Sequence, residues 1–353
     1  MGSCTIKADY MTPNMSVCKR DFQLHYVIGK GGFGKVWKLE HKKTGALYAM
    51  KEMSKARVLS KKSVVSVMNE RELLTALRHP FIVNMHFAFQ DRDNLYLVTD
   101  LMPGGDLRYH LSRLHTFTQD QSRFFLACIL VGLDHLHSHN IIHRDIKPEN
   151  LVLDARGYLR ITDFGIARLY SPDNARETSG TPGYMAPEVI CQQPHSFAAD
   201  YFAVGVLLYE FMTSKRPYPG RTRKEIKEQV LARQVAVTNE QLPANWDTTA
   251  IDLVNRLLQR KPTHRLGEGG LAEVKTHPWF ADFRWEALLD KSLEAPLVPQ
   301  GDHNFSSRLG KTHNVWKDAR SDTMIANISL LQNRATQQLF AEYEFDSSVC
   351  NSA

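Results

Sequence analysis

Apolar and polar residues alternate where ordered structure is expected to begin, at Phe22. Residues 23–28 alternate as a strand does, and a second alternating run follows Gly34 and ends at a turn, Thr44-Gly45. A third short apolar run, residues 47–51, is also typical of a strand. The pattern predicts a strand–turn–strand hairpin followed by another strand.

Helical spacing appears after these strands. Leu73 and Leu74 mark the buried face of one helix, and the apolar residues of 124–136 repeat at helical spacing over a longer stretch. Two more strands are predicted between these helices, the second at residues 95–98. Residues 1–21 show no sustained periodicity, so we predict a mobile leader there.

Composition and charge bound the class of protein without naming an activity. A chain of 353 residues can hold two lobes, and 43% hydrophobic with 23% charged residues is typical of a globular protein. The net charge of +6 is modest and spread out, and no nucleic-acid motif is present, so we expect no nucleic-acid partner. Five scattered cysteines favour a reducing compartment, and no apolar run reaches the length of a membrane span.

One polar stretch combines side chains that suit the transfer of a phosphoryl group. Asp145 could accept the proton of an incoming hydroxyl, and Lys147 could hold the charge on the transferred phosphate. Asn150 and Asp163 offer the hard oxygen ligands that magnesium requires. The alternative is a solvated polar loop between a helix and a strand.

The complete pattern resembles a protein kinase. Residues 143–150 read H-R-D-x-K-P-x-N and residues 163–165 read D-F-G, a combination rarely met by chance. The resemblance implies ATP and Mg²⁺ as cofactors, with Asn150 and Asp163 holding the metal. It also implies catalytic roles for Asp145 and Lys147.

Residues 29–36 carry a G-x-G-x-x-G pattern, which alone is weak evidence because dinucleotide-binding folds place it between a strand and a helix. Here it lies between two predicted strands, as in kinases, whose glycine-rich loop closes over the nucleotide phosphates. The resemblance assigns ATP contacts to the loop and its flanks: Gly29, Lys30, Gly31, Gly32, Phe33, Gly34 and Val36.

Lys51 ends an A-x-K pattern at the kinase spacing from the glycine loop, so the resemblance implies that it grips the α and β phosphates. Two glutamates compete as its partner. We prefer Glu70, because Leu73 and Leu74 mark the buried face and the family spacing falls there; Glu72 is assigned to solvent.

The resemblance also places the adenine pocket at residues 99–102, where the chain crosses between lobes. The backbone there would bind adenine, and Thr99 would guard the back of the pocket. The same resemblance assigns the remaining ATP contacts to Ala49, Asp100, Met102, Asp106 and Val152.

The segment after Asp163 carries the expected regulatory residues. In related kinases a phosphorylated Ser or Thr pairs with the arginine beside the catalytic aspartate, here Arg144. Glu177 occupies the usual phosphosite position, so a carboxylate could hold the loop without an upstream kinase. The alternative switch is Thr178. Thr181 is expected to bridge the catalytic aspartate and lysine, as in kinases that act on serine and threonine.

Two further contacts are implied by the same resemblance. Glu188 is expected to form an ion pair with Arg265. Asp200 opens a helix that resembles the one that anchors the catalytic loop from below; the family usually has tryptophan where Phe202 stands.

Substrate preference is predicted from three acidic residues, Asp106, Glu149 and Glu210. They match positions where basic-directed kinases receive substrate arginines. Another such position, usually glutamate, is Gly183 here. We therefore expect a moderate preference for Arg or Lys upstream of the acceptor, and Ile166 favours threonine acceptors.

Residues beyond 280 resemble the tail of AGC-type kinases, the group of cAMP-dependent protein kinase. Asn304-Phe305 resembles the segment that brings an aromatic ring to the nucleotide pocket. Residues 340–345 resemble the AGC hydrophobic motif, whose aromatics would dock on the small lobe behind the helix that bears Glu70; the alternative is an acidic, aromatic tail that binds elsewhere. Glu344 stands where many relatives are phosphorylated. The aromatic residues are Phe340, Tyr343 and Phe345.

Residues 107–111 resemble the YANK subgroup.

The first residues resemble an acylation signal. Gly2 is the glycine used for myristoylation, and Cys4 could be palmitoylated, which together would give stable membrane attachment. Ile6 departs from the Ser or Thr of the motif. The alternative is a plain flexible terminus.

These observations predict an α+β, bilobal protein-kinase fold with an AGC-type tail. The expected parts are a leader at 1–21, an N-lobe at 22–99, a C-lobe at 100–280 and the tail at 281–353. The expected function is ATP-dependent phosphorylation of Ser or Thr in protein substrates, with activation through Glu177 and Glu344. We expect a cytoplasmic monomer that meets the membrane only through acylation.

Two rival functions fit the sequence less well. A pseudokinase scaffold would normally have lost one of Lys51, Asp145 or Asp163, and all three are present. A kinase for small molecules or lipids is disfavoured by Thr181 and by the Ala186-Pro187-Glu188 segment that builds a peptide platform.

Overall fold

The computed structural model describes residues 17–241, 243, 246–300, 304 and 327–347. These residues form two compact units. The smaller unit takes its described residues from Met1–Lys61, Met85–Thr99 and Ala319–Ala353, and the larger from Lys62–Asn84 and Asp100–Asp318. Residues 62–84, expected in the N-lobe, are thus grouped with the larger unit. The predicted limits of the lobes stay a prediction.

A six-stranded sheet forms the smaller unit. Its strands are β1 (Phe22–Lys30), β2 (Gly34–His41), β3 (Leu47–Ser54), β4 (Met85–Gln90), β5 (Asn94–Asp100) and β10 (Phe345–Asp346), in the spatial order β1-β2-β3-β5-β4-β10. Five strands were expected, and the sheet has six because the tail adds β10 antiparallel to β4. This unit also contains the short helices α1 (Lys55–Ser60) and α11 (Arg334–Gln338).

The predicted glycine hairpin is present. Strands β1 and β2 pair antiparallel from Phe22 opposite His41 to Lys30 opposite Lys35, so the glycines connect two strands and not a strand to a helix. Gly34 has no room for a side chain, because a Cβ there would lie 1.7 Å from the carbonyl oxygen of Glu52 on β3. The backbone of β2 can therefore lie against β3.

Long buried helices dominate the larger unit. In chain order its helices are α2 (Val64–Ala76), α3 (Leu107–Leu114), α4 (Gln119–Ser138), α5 (Pro187–Ile190), α6 (Ala198–Thr213), α7 (Arg223–Ala232), α8 (Thr249–Leu257), α9 (Leu271–Lys275) and α10 (Trp285–Leu289). Helix α4 begins with a capping box, in which Thr118 and Gln121 satisfy each other's backbone N–H groups. Most residues of α4 and α6 are buried, so these two helices form the centre of this unit's core.

Two small ribbons in the larger unit hold the loops that carry the chemistry. Strand β6 (Ile141–Ile142) pairs with β9 (Arg168–Leu169), and β7 (Leu151–Leu153) pairs with β8 (Leu159–Ile161). The predicted α+β class is confirmed, with a sheet in one unit and long helices in the other. Among the described residues, no helix is long and apolar enough to cross a membrane.

Candidate active site

The loop between β6 and β7 carries three of the residues predicted for catalysis, Asp145, Lys147 and Asn150, and one buried carboxylate fixes its backbone. Asp200, at the start of α6, accepts hydrogen bonds from the backbone N–H groups of His143 (3.0 Å) and Arg144 (2.9 Å). Arg144 has a φ of 67°, a left-handed conformation that its side chain disfavours, and the bond to Asp200 offsets that strain.

The ionised form of Asp200 is itself stabilised. Burial alone would raise the pKa of this carboxyl, but the hydrogen bond from His137 (2.9 Å) and the nearby imidazoles hold the pKa below its usual value. A charged acceptor is therefore available for both backbone donors of the loop.

Four side chains meet in one cluster around Asp145. Lys147 donates from Nζ to one carboxylate oxygen of Asp145 (2.5 Å), and Thr181 donates from Oγ1 to the other (2.7 Å). Lys147 also donates to Thr181 (3.0 Å), so the predicted bridge is present. Asn150 donates from Nδ2 to the carbonyl oxygen of Asp145 (2.9 Å) and to its carboxylate (3.1 Å). The carboxylate is thus held in one orientation.

Two residues could hold a divalent metal, Asn150 in this cluster and Asp163 at the start of the segment that follows β8. Because Nδ2 of Asn150 donates to Asp145, the other terminal atom of that side chain, an oxygen, is the one that could bind a metal. The backbone of Asn150 accepts from Thr162 N–H (3.0 Å), which ties it to the residue before Asp163. Asp163 is exposed, with a left-handed φ of 65°. One carboxylate and one amide oxygen fit Mg²⁺, which takes its remaining ligands from water and phosphate.

The activation segment contacts the catalytic loop through a charge pair. Arg144 donates to Glu177 (2.9 Å) and to the carbonyl oxygen of Ile166 (2.7 Å). The hydroxyl of Thr178 instead donates to the carbonyl oxygen of Val189 (3.2 Å). Gly180 must be glycine, because its φ is 126° and a Cβ would lie 2.7 Å from the carbonyl oxygen of Arg144. Glu177, not Thr178, therefore contacts the loop arginine.

Comparison with known proteins decides the family. A model of the protein kinase domain matches residues 22–280. The chain belongs to the protein kinase domain family. The chain is 40% identical over 286 residues to a protein of Dictyostelium discoideum described as a probable serine/threonine-protein kinase, and the match covers 80% of this chain and 62% of that protein.

Two other relatives point to the same group. The identity is 36% to the cAMP-dependent protein kinase catalytic subunit of Dictyostelium discoideum, over 86% of this chain and 46% of that protein. The identity is 38% to the serine/threonine-protein kinase sgk-1 of Caenorhabditis elegans, over 79% of this chain and 60% of that protein. The resemblance to AGC kinases is confirmed. The chain spans about half to three-fifths of the length of these relatives.

The predicted ion pair of Glu188 with Arg265 is present, and it is buried. Arg265 donates to both carboxylate oxygens of Glu188, at 2.7 and 3.0 Å, and both side chains are almost fully buried. The guanidinium also donates to backbone carbonyl oxygens, including that of Ala198 at the start of α6 (2.8 Å). This pair therefore ties the segment after the activation loop to the core of the larger unit.

The substrate-side glutamates have a partner that the sequence analysis did not single out. Arg108, on α3, donates to Glu149 (2.8 Å), to Glu210 (2.6 Å) and to the hydroxyl of Tyr184 (2.7 Å). Arg108 lies within residues 107–111, whose subgroup resemblance gave it no role, and only its position two residues after Asp106 could have suggested a contact with the acidic candidates. The third candidate, Asp106, caps α3 by accepting from the backbone of Tyr109, and burial raises the pKa of its carboxyl.

The other predicted nucleotide residues are distributed over both units. In the smaller unit the register places Val36 opposite Lys51, and Ala49 is buried on β3. In the larger unit, Glu70 is buried on α2 while Glu72 is exposed, as expected. The remaining candidates lie as follows: Thr99 and Asp100 on β5, Met102 buried just beyond it, and Val152 on β7 opposite Asp106.

The tail contributes to each unit separately. In the larger unit Asn304 is buried and donates to the carbonyl oxygen of Pro103 (3.2 Å). In the smaller unit Phe340 and Tyr343 are fully buried, Glu344 is exposed, and Phe345 pairs with Ala88 of β4. The predictions for Gly2, Cys4 and Phe305 lie outside the described residues.

Proposed function

We propose that this chain is an ATP-dependent serine/threonine protein kinase. The observation that carries the proposal is the set of contacts that joins Asp145, Lys147, Thr181 and Asn150 within the larger unit. A base, a cation and a metal-ligand side chain are held together there by direct hydrogen bonds. Family membership and the named relatives support the same activity.

In the proposed reaction the protein supplies position and charge. Asp145 orients the acceptor hydroxyl of the substrate and takes its proton, because its carboxylate is fixed by Thr181 and Asn150. Lys147 stabilises negative charge on the transferred group. Mg²⁺, bound with ATP by Asn150 and Asp163, would neutralise phosphate charge. Catalysis then rests on positioning and electrostatics, with no covalent intermediate on the enzyme.

Asp145→Asn tests the function directly. The amide keeps the shape but cannot accept the proton, so phosphorylation of a protein or peptide mixture should fall by roughly 10²-fold or more. The control is Asp282→Asn, at an exposed carboxylate on the surface, which should keep wild-type turnover. Full activity in Asp145→Asn, measured by radiolabel transfer from ATP, would contradict the catalytic assignment.

We propose further that Glu177 replaces a phosphorylated residue in the activation segment. Its carboxylate contacts Arg144, whose side chain is 4% exposed, so the loop has an acid partner without modification. Glu344 stands at the second switch position, between the buried Tyr343 and the paired Phe345. Both acids favour activity without an upstream kinase.

Phosphatase-treated protein made in bacteria tests the acidic switch. Wild type should be active, and Glu177→Ala should lose roughly three- to tenfold in turnover, since one charge-assisted hydrogen bond is removed. Thr178→Ala is the matched control and should retain activity. An inactive wild type that gains activity when Thr178 is phosphorylated would favour the alternative switch.

Other parts of the predicted function rest on the resemblance alone. The nucleotide contacts of the glycine loop, Lys51 and Glu70 remain predictions, as does the choice of Mg²⁺ among divalent metals. So do the acylation of Gly2 and Cys4, membrane attachment and the monomeric state. The proposed partners are protein substrates with Ser or Thr acceptors.

A further inference from the structure

We propose that Arg108 fills the acidic pocket of this kinase and thereby sets its substrate specificity. The acidic pocket is defined here by Glu149, Glu210 and the hydroxyl of Tyr184. With Arg108 in place, a basic residue upstream of the acceptor gains little binding energy from these glutamates, so the kinase does not select for such a residue. The inference rests on the proposed function and replaces the expected basic preference.

The contacts of Arg108 engage all three nitrogens of its guanidinium. Nε donates to Glu149 (2.8 Å), and Nη1 donates to Glu210 (2.6 Å). Nη2 donates to Tyr184 (2.7 Å) and, at 3.4 Å, to the second oxygen of Glu210. Tyr184 in turn donates to Glu210 (2.6 Å). A planar group with this many matched bonds is hard to replace by another cation.

Burial makes the pair between Arg108 and Glu210 the stronger of the two. The side chain of Glu210 is 6% exposed, whereas that of Glu149 is 45% exposed. A buried carboxylate without a cation is costly, so the fold favours an occupied pocket. Burial alone would lower the pKa of Arg108, but its hydrogen bond to Glu210 and the nearby Tyr184 raise the pKa, so it stays charged.

The pocket lies next to the reacting groups in the chain and in space. Glu149 directly precedes Asn150, in the short turn Pro148–Asn150 that follows Lys147. Tyr184 donates its backbone N–H to the carbonyl oxygen of Thr181 (2.9 Å). A peptide whose hydroxyl reaches Asp145 therefore passes this pocket. A substrate arginine would have to displace Arg108 and leave that guanidinium without its partners.

A second arginine, Arg216, lies near Tyr184 and also makes this region less suited to a basic substrate residue. Gly183 stands where basic-directed kinases carry an acid, and a Cβ there would lie 2.8 Å from Nη1 of Arg216. A carboxylate is thus replaced by a glycine beside an exposed cation. The surroundings of Tyr184 are less negative than the two glutamates alone suggest.

Paired peptides measure the specificity. The two peptides of a pair differ at one position upstream of the acceptor, which is arginine in one peptide and norleucine in the other. Successive pairs place this difference at successive upstream positions. For wild type, the ratio of kcat/KM for the arginine peptide to kcat/KM for the norleucine peptide should be near one. Arg108→Met should raise the ratio for arginine by roughly tenfold, through KM, because the freed glutamates accept the substrate cation. Arg113→Met, at an exposed arginine on the same helix, should match wild type.

A strong arginine preference in wild type, or an unchanged ratio in Arg108→Met, would overturn the inference. Arg108→Met/Glu210→Gln should lose the gained preference, which assigns it to the pocket. If Arg108→Met does not fold, Arg108→Lys replaces it, since lysine lacks the planar fork and should show a smaller gain.

Binding separates this inference from the proposed function. Fluorescence anisotropy with the same peptides, carrying alanine at the acceptor position, needs no turnover. Arg108→Met should bind the arginine peptide roughly tenfold more tightly than wild type does, with no change for the norleucine peptide. That result in a chain without kinase activity would contradict only the proposed function, whereas equal binding by both proteins would contradict the role of Arg108.

Discussion

The imidazole of His79 is held neutral by its surroundings in the larger unit. It is half-buried, its Nδ1 accepts from the backbone N–H of Phe81 (3.3 Å), and its ring stacks on that of His135 at 4.5 Å. Burial, and then positive charge at His135 and Lys291, lowers the pKa of His79 to about 4. Protonation would remove the acceptor and add an unpartnered charge.

This shift predicts a loss of stability in mild acid. The unfolded chain takes up the proton of His79 near pH 6.5 and the folded chain only near about 4, so the free energy of unfolding falls as the pH falls between these values. After a discount for partial exposure, we expect about 1–2 kcal/mol. Urea unfolding at several pH values measures it.

His79→Asn provides the comparison, because its side-chain oxygen can accept from Phe81 without titrating. It should lose less stability than wild type over the same pH range. His115→Asn, at an exposed histidine, should behave as wild type. Equal acid sensitivity in wild type and His79→Asn would assign the loss to other groups.

Single contacts differ in how far the sequence could predict them. The bridge by Thr181 and the pair of Glu188 with Arg265 follow from motifs, because the residue types and spacing are fixed by one task. The contacts of Arg108 reach 41 and 102 positions along the chain and belong to no motif. Only the packing of the folded chain brings Arg108 to Glu149 and Glu210. The sequence therefore predicts the two glutamates as substrate-binding candidates but does not predict that Arg108 binds to them.

At the scale of elements, α6 acts on the catalytic loop through its first turn. Asp200 accepts two backbone bonds from the loop and one from His137 on α4. We predict that Asp200→Asn lowers stability by about 2 kcal/mol, since an amide offers one acceptor where the carboxylate has two. Turnover should fall roughly tenfold or more while the KM for peptide changes little, because the base is displaced rather than removed.

Denaturant unfolding and steady-state kinetics measure the two effects of Asp200→Asn. The control is Asp134→Asn, an exposed carboxylate on α4. Unchanged turnover in Asp200→Asn would show that the loop keeps its conformation without the charged acceptor.

Elements were predictable where their signal is local. The hairpin of β1 and β2 follows from alternation on both sides of a glycine-rich turn. Strand β10 has two residues, and its partner, β4, lies far away in the sequence, with Phe345 opposite Ala88. No periodicity can identify so short a strand, which explains why five strands were expected.

At the scale of the whole molecule, the C-terminal tail contributes a strand and buried side chains to the smaller unit. Phe340 and Tyr343 are fully buried there, and the ring of Phe340 lies 5.1 Å from the ammonium of Lys55. Lys55 also donates to Gln337 (2.7 Å) and to the carbonyl oxygen of Asp91 (2.7 Å). Burial lowers the pKa of Lys55, so this amine depends on its few partners.

Phe340→Ala should therefore destabilise the smaller unit by about 3 kcal/mol, because it leaves a cavity and removes the ring beside a buried ammonium. Hydrogen exchange should rise in β4 and α1, since Gln90 on β4 donates to the carbonyl oxygen of Phe340 (2.9 Å) and Lys55 begins α1. Exchange in α4 and α6 of the larger unit should change less.

Leu339→Ala is the matched control, because Leu339 precedes Phe340 and is half exposed. Its effect on exchange should be small. If Phe340→Ala leaves the exchange of β4 and α1 as in wild type, the tail is not part of the stable core of the smaller unit. If both variants raise exchange equally, the loss comes from the tail backbone and not from the buried ring.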